Sequence, residues 1–457
     1  MEFQYKEGRL YMEYLLEPAK KLPVWEQADL FVAGGSCTGV FAAVRAARLG
    51  LKVVLAERQN CLGGMATAAM VCVWHSLKDA AYQEQIIAGL TQETVWRLEK
   101  AGAAWVQDDP SLAVQFNPFR LQYELDRLVQ EEKITLYLHT LCTSVLVEQE
   151  RITAAVLENK DGRGAIKAHF FIDATGDGDM ARELGLPAYR REAVQPPTPC
   201  FLMRGTLQGV EMERLIQEHG VEFGLEDDFG WSTPVPGMPD EISLQAPFHV
   251  LGVDCASAQG LTKTETEGRR KAYALVDLLR RYTGRDFSVA ALSSLAGVRE
   301  SNHYPTRTQV KGWDLLLGNR CEDAVLNGTY RVDMHDKDGR VAFYYLNGTA
   351  LSMEGAQRHT TQWDWRKEHG ITQPPARYYQ APFSMLVQER YSNFIPVGRM
   401  LHGDDMAFGA LRVMVNLNQL GEAAGVAAYL SVDSNTSVDK LDGKQVRQLL
   451  RKGGSVL

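Results

Sequence analysis

Hydrophobic and polar positions along the chain follow two rhythms, and each predicts its own element. Residues 29–34 (DLFVAG) form a short apolar run closed by glycine, the pattern of a strand buried on both faces. Across 39–49 (GVFAAVRAARL) apolar residues recur at helical spacing in an alanine-rich stretch that Gly50 ends. Residues 52–56 (KVVLA) predict the next strand, with Glu57 at its end. Strand, glycine turn, helix and strand make one βαβ unit.

Helical spacing returns at 81–100 and 120–131, and 134–138 reads as a strand. The stretches 144–148, 152–159 and 165–172 predict further strands, with Asp161-Gly162 among the turns. Five prolines between Gln195 and Gly237, flanked by Pro187 and Pro239, mark a shift in composition where the chain leaves its first domain. A charged amphipathic helix is expected at 265–282. From Asn393 the pattern is a strand (FIPVG after the asparagine), a glycine-containing loop and an alanine-rich helix at 411–430.

Composition narrows the class. A chain of 457 residues, 45% hydrophobic and 23% charged, fits a soluble globular protein of two or three domains. Its 49 Lys+Arg and 57 Asp+Glu are dispersed, so no nucleic-acid partner is expected. No apolar stretch approaches the ~18–20 residues of a membrane span. The first 28 residues mix charges throughout and do not resemble a secretion signal, so a cytoplasmic location is expected. Seven widely spaced cysteines without a CxxC argue against disulfides, a zinc ribbon or an iron–sulfur cluster; no metal is expected.

The candidate chemistry starts at Gly34-Gly35-Ser36-Cys37-Thr38-Gly39, between the first strand and the first helix. A G-x-G-x-x-G fingerprint belongs there. Its first glycine allows the tight turn, its last lets helix and strand approach, and the pyrophosphate rests at the positive helix end. Ser36 stands where the second glycine is usual. Glu57, 18 residues after Gly39, can accept both hydroxyls of an adenosine ribose and repels a 2′-phosphate. FAD or NAD is thereby favoured over NADP.

Three later segments favour FAD: CLGGMAT at 61–67, FFIDATGDGDMA at 170–181, and NFIPVGRM through FGALRVM at 393–414. With the nucleotide loop, the charged helix, GVRES at 297–301 and VDMHD at 332–336, the chain resembles the bacterial FAD-dependent oxidoreductase family of the fumarate-reductase/glutathione-reductase superfamily. The resemblance covers nearly the whole chain. It implies an α/β fold whose Rossmann-like FAD-binding domain is assembled from discontinuous segments (1–187 and 376–457), with an inserted α+β substrate or cap domain at 188–375.

The same resemblance implies roles. Gly34, Ser36, Cys37 and Gly39 would lie along the pyrophosphate, Glu57 on the ribose and Arg58 over the adenine side. Gly63, Gly64 and Met65 would pass under the ribityl chain and flavin, and Cys142 would offer its backbone to adenine. Gly176 and Asp177 would close the nucleotide pocket, and Gly398 and Arg399 would meet the diphosphate–ribityl region. Arg412, Val413 and Met414, at a helix N-terminus, would face the flavin's pyrimidine edge, where a reduced flavin is negative. Relatives often carry a histidine where this chain has Asp405, so chemistry through that histidine is not carried over.

A flavin performs the redox step, which leaves the protein to orient a substrate and move a proton. In RESNHY, Arg299 and Tyr304 could clamp an oxygenated substrate while His303 takes its proton; a buried Arg299–Glu300 pair beside a hydrogen-bonded His and Tyr explains the same residues. His335, between Asp333 and Asp336, could be held as an acid, although a solvated turn through Asp338-Gly339 would also account for it. His75, His249, His402, the pair Asp404/Asp405, and Trp74, Trp231, Trp363 and Trp365 complete the candidates. No second dinucleotide fingerprint and no redox CxxxxC follow.

The reading is an FAD-dependent oxidoreductase exchanging hydride with a small organic substrate. An FAD-dependent monooxygenase and a non-catalytic subunit, with or without flavin, are the alternatives. The electron donor or acceptor, the covalency of FAD and the oligomeric state are not legible in the sequence.

Overall fold

The structure is a computed structural model; it describes residues 5–6, 9–10, 15–192, 194–225, 230–335, 340–354 and 359–457. Asp336, Asp338 and Gly339 lie outside the described residues.

The predicted βαβ unit is present as β1 (Val24–Ala33), α1 (Cys37–Arg48) and β2 (Val53–Ala56). Helices α2 (Leu90–Lys100) and α3 (Pro118–Glu131) follow. The first is shorter than its spacing suggests, because Gly89 takes φ +65° and the chain enters the helix only there. Strands β3 (Thr135–Tyr137), β4 (Leu141–Glu148), β5 (Arg151–Asn159) and β6 (Gly162–Asp173) come next, and near the C-terminus β7 (Phe394–Pro396) returns.

These strands form one seven-stranded sheet in the order β3-β2-β1-β6-β5-β4, with β7 on β6. Strands β3, β2, β1, β6 and β7 run parallel; β4 and β5 join as an antiparallel meander. Side chains of a strand alternate between faces, and the core divides accordingly. Leu30 and Val32 of β1 pack with Val40, Phe41 and Val44 of α1, whereas Phe31 and Ala33 join Ile152, Leu157 and Phe171 on the other face. Both faces are covered, which is why the strand reads as an unbroken apolar run. This is the Rossmann-like α/β architecture that the sequence implies.

The middle of the chain builds two antiparallel four-stranded sheets. One pairs strands at 201–204, 231–234, 242–246 and 288–292 and packs against helix Ala258–Thr283, which matches the expected charged helix at 265–282. The other contains the strand Val332–His335 and three strands between 341 and 364.

The expected helix at 411–430 is present as Met414–Asp433, and the glycine-containing loop expected before it holds a helix of its own. Helix Asp405–Leu411 ends, Val413 is extended (φ −71°, ψ 146°), and helix Met414–Asp433 begins. The break places a new helix N-terminus inside the molecule. Among the described residues no helix is long and apolar enough to cross a membrane.

Candidate functional site

Ala33 ends β1, and the turn after it is shaped by steric limits. Gly34 has φ +97°, and a Cβ there would lie 2.5 Å from the carbonyl oxygen of Ala174, so only glycine fits. A Cβ on Gly39 would meet the Gly34 oxygen at 1.9 Å; its absence lets the first turn of α1 settle on the loop. Ser36 between them has an ordinary backbone (φ −59°) and is the N-cap of α1, its Oγ accepting the Gly39 N–H at 3.3 Å. The departure from glycine therefore carries a structural role of its own.

Glu57 is buried at the end of β2. Its Oε2 accepts the Gly35 N–H at 2.6 Å and its Oε1 the Gln59 N–H at 2.8 Å. The carboxylate is fixed in place, and each oxygen keeps acceptor capacity.

These residues line a single cavity of about 750 Å³. Gly34, Ser36, Cys37, Glu57 and Arg58 come from the βαβ unit, and Gly63, Gly64 and Met65 from the loop behind it. Cys142, Gly176 and Asp177 come from the sheet and the turn after β6; Gly398, Arg399, Arg412, Val413 and Met414 come from the C-terminal return. Gly39 supports the loop from beneath and does not line the cavity. Asp177 accepts hydrogen bonds from Ser301 Oγ (2.8 Å), Arg399 and, more loosely, Arg58 (3.4 Å). Burial alone would raise its pKa, but the two guanidiniums outweigh that and hold it below the usual value.

The cavity fits the dinucleotide that its residues imply. It offers a glycine-walled turn at a helix N-terminus, a fixed carboxylate at the second strand, and a second helix N-terminus at Met414. It also holds polar atoms without partners: among the described residues both side-chain atoms of Asn418, one turn into that helix, and the Nε of Arg399 are buried and unbonded. A ligand with several acceptors and donors would satisfy them.

The opposite wall comes from the strand Val332–His335. Alternation puts Arg331, Asp333 and His335 on one face, and all three line the cavity beside Tyr330. Asp333 is the hub of this wall. Its Oδ2 accepts from Tyr330 OH at 2.6 Å and from Arg412 Nη2 at 3.0 Å, and His335 Nε2 lies 3.0 Å from its Oδ1. Burial would raise the Asp333 pKa, but His335 and the arginines hold it well below the carboxylate range.

His335 is not held as an acid. Desolvation outweighs the neighbouring carboxylate and lowers its pKa to about 4, so the ring is neutral at neutral pH. His75 stacks on Tyr330 with ring centroids 4.0 Å apart, and burial lowers its pKa to about 3. Arg299 also reaches the cavity. It donates to Pro196 O at 2.7 Å and Thr198 Oγ1 at 2.5 Å and makes no pair with Glu300.

His303 and Tyr304 are not brought to the cavity wall. The His303 ring is fully buried, with Nε2 3.0 Å from Glu300 Oε1 and Nδ1 2.9 Å from Leu401 O. Glu300 in turn pairs with Arg191. Tyr304 OH donates to Gly178 O at 3.1 Å. Neither side chain has a free polar atom for a substrate. Asp404 is not half of a carboxylate pair: it caps helix Asp405–Leu411, while Asp405 pairs with Arg191. His402 bonds the backbone of Thr306. Trp74 and Trp365 are core, whereas Trp231 and His249 line the cavity. Tyr330, Arg331 and Asn418 are the site residues that sequence reading misses. The alternation Arg331–Asp333–His335 is the signal that exposes Arg331.

The sequence profile of a family described as FAD dependent oxidoreductase matches residues 29–450, nearly the entire chain. The chain belongs to that family. It is an FAD-dependent oxidoreductase, an enzyme whose cofactor is FAD. No relative is found among curated proteins. Among solved structures, this oxidoreductase is similar to a geranylgeranyl bacteriochlorophyll reductase-like protein of Thermoplasma acidophilum (11% identity, 94% of this chain and 82% of that one, TM-score 0.45). It is also similar to a flavin-dependent brominase (12% identity, 93% and 83% covered, TM-score 0.44) and to an anhydrotetracycline hydroxylase of Streptomyces rimosus (10% identity, 94% and 66% covered, TM-score 0.40).

Proposed function

We propose that this oxidoreductase exchanges hydride between FAD and a small organic substrate bound against the Tyr330–His335 wall. One observation supports the reading most: a single cavity lined both by the dinucleotide turn and by a strand bearing Arg331, Asp333 and His335. Residues 188–375 then act as the substrate-covering insertion between the two parts of the FAD-binding domain.

In this reading Ser36, Cys37, Gly63, Gly64 and Met65 flank the diphosphate and ribityl chain, Glu57 holds the ribose, and Asp177 keeps Arg399 in place. Arg412, Val413 and Met414 line the cavity where the helix begins, and its positive end would stabilise negative charge on a reduced flavin. Bound FAD supplies the hydride acceptor or donor. The protein's own part is the proton. Asp333 Oδ1, 3.0 Å from His335 Nε2, favours the tautomer protonated on that nitrogen and leaves Nδ1 as a base. When a substrate C–H gives up its hydride, the adjacent O–H or N–H proton passes to His335 Nδ1, and a C=O or C=N remains. Reduction runs the same steps backwards. Trp231 and Phe343 add aromatic surface to the cavity lining.

The test is an anaerobic screen of small alcohols, amines and hydroxy acids with the FAD-loaded protein, followed by flavin absorbance. Stoichiometric bleaching by one class, without oxygen, supports hydride exchange. Bleaching only by NAD(P)H, with oxygen consumption that depends on a second substrate, would replace it with oxygen insertion.

A further inference from the structure

The Tyr330–His335 wall carries more positive charge than it neutralises. Three guanidiniums, of Arg299, Arg331 and Arg412, line the cavity there, and Asp333 is the carboxylate among them. Asp333 is already engaged with Arg412 at 3.0 Å. Arg331 donates to Ser111 Oγ at 2.5 Å, and Arg299 to Pro196 O and Thr198 Oγ1. Among the described residues neither Arg299 nor Arg331 forms a salt bridge. The histidines beside them, His75 and His335, are neutral at neutral pH and offer no counter-charge.

Two unpaired guanidiniums on the wall of a deep cavity are costly to keep desolvated. The strain is visible at Arg299, where burial first, and then the field of Arg412, lowers the pKa to about 10. Nε of Arg331 is buried and unbonded among the described residues. Both arginines are contacted only by neutral hydrogen-bond partners, and Asp333, already paired with Arg412, reaches them through its field alone, whereas a planar anion could take two N–H groups from either fork. The neighbouring surface is apolar and aromatic: Phe343 lies under Arg331, with the guanidinium carbon 4.1 Å from the ring centroid. That arrangement suits an anionic head joined to a small organic body.

We infer that the substrate of this site is an organic acid whose carboxylate is bound by Arg299 and Arg331. The inference rests on the proposed function for what happens to the acid after it binds. Binding itself stands on the arginines alone. In this arrangement Arg299 and Arg331 hold the carboxylate, and the carbon beside it faces the cofactor while His335 serves its proton. Arg412 stays with Asp333 and contributes orientation.

The experiment compares acids with their amides, which keep shape and lose charge. FAD-loaded protein is titrated with succinate, benzoate, succinamide and benzamide, and binding is read from the flavin spectrum and from the melting temperature. At least one acid should bind saturably, and its amide at least tenfold more weakly. Arg331→Gln and Arg299→Gln should each raise the dissociation constant of that acid at least tenfold, and Arg331→Lys should recover part of the loss. Acid and amide binding alike, failure of both acids to bind, or unchanged constants in both glutamine variants would overturn the inference. The melting readout does not need the flavin. Carboxylate preference in a protein that takes up no FAD would sink the flavoenzyme reading and leave this site; FAD bound with no charge preference would do the reverse.

Discussion

Arg412 Nη2 donates to Asp333 Oδ2 at 3.0 Å, and this bond ties the strand Val332–His335 to the junction between helices Asp405–Leu411 and Met414–Asp433. The two residues lie 79 positions apart in the chain. Gly409 permits the contact, since a Cβ there would lie 2.7 Å from Asp333 O. The strand Val332–His335 and the helices near the C-terminus thus share one buried polar hub, and the helix N-terminus at Met414 is held beside the wall that carries His335.

Removing one partner of that hub should be severe. Asp333→Ala leaves Arg412, Arg299 and Arg331 without a carboxylate, and we expect a loss of about 3–5 kcal/mol in unfolding free energy. Urea unfolding followed by fluorescence measures it. A loss below about 1 kcal/mol, the range of a surface pair, would show that the hub does not carry the junction.

His335→Gln should separate binding from chemistry. Glutamine can still hydrogen-bond Asp333 but does not take up a proton. With a substrate identified by the anaerobic screen, kcat should fall by about 100-fold or more, while FAD content stays at the wild-type level. Unchanged turnover would remove His335 from the mechanism.

The same histidine sets a pH dependence of stability. Its pKa falls from 6.5 to about 4 on folding, so below 6.5 the unfolded chain binds a proton that the folded one does not. The contribution is complete above pH 6.5 and declines as pH drops toward 4. Relative to His335→Gln, the wild type should lose about 2 kcal/mol between pH 6.5 and pH 5. The variant comparison is needed because buried Asp173, pushed up to about 6 mainly by desolvation, gives the opposite slope in both proteins. Equal slopes in the two proteins would contradict the assignment.

Ser36 provides a test at the nucleotide turn. As the N-cap of α1, Ser36→Ala should cost about 1 kcal/mol, and Ser36→Gly only a few tenths. Because Ser36 Oγ bonds Gly39 N–H and lies 3.3 Å from Ala174 O, FAD affinity should change less than tenfold in Ser36→Gly. Thermal melts and FAD titration of the apoprotein measure the two effects.

The legibility of this chain followed local determinism. The βαβ unit is readable because its turn needs glycine at Gly34 and its strands are buried on both faces. Every cofactor position that the resemblance implies reaches the cavity wall except Gly39, which packs beneath it. The helix start at Arg412–Met414 follows from the resemblance, whereas helix Asp405–Leu411 just before it is hidden in a stretch that reads as a glycine-containing loop. RESNHY looks like chemistry in one dimension, yet Glu300 turns inward to Arg191 and takes His303 with it. Arg331 goes unnoticed for the opposite reason. An arginine in a short mixed strand looks solvated until the strand's alternation is counted from His335 back through Asp333.

A crystal structure of the FAD-loaded protein tests the central claim most directly. The account predicts the adenosine ribose on Glu57, the diphosphate over the Ser36–Gly39 turn, and the isoalloxazine between the helix N-terminus at Met414 and the Tyr330–His335 wall. A flavin ring placed away from Arg331, Asp333 and His335 would contradict it.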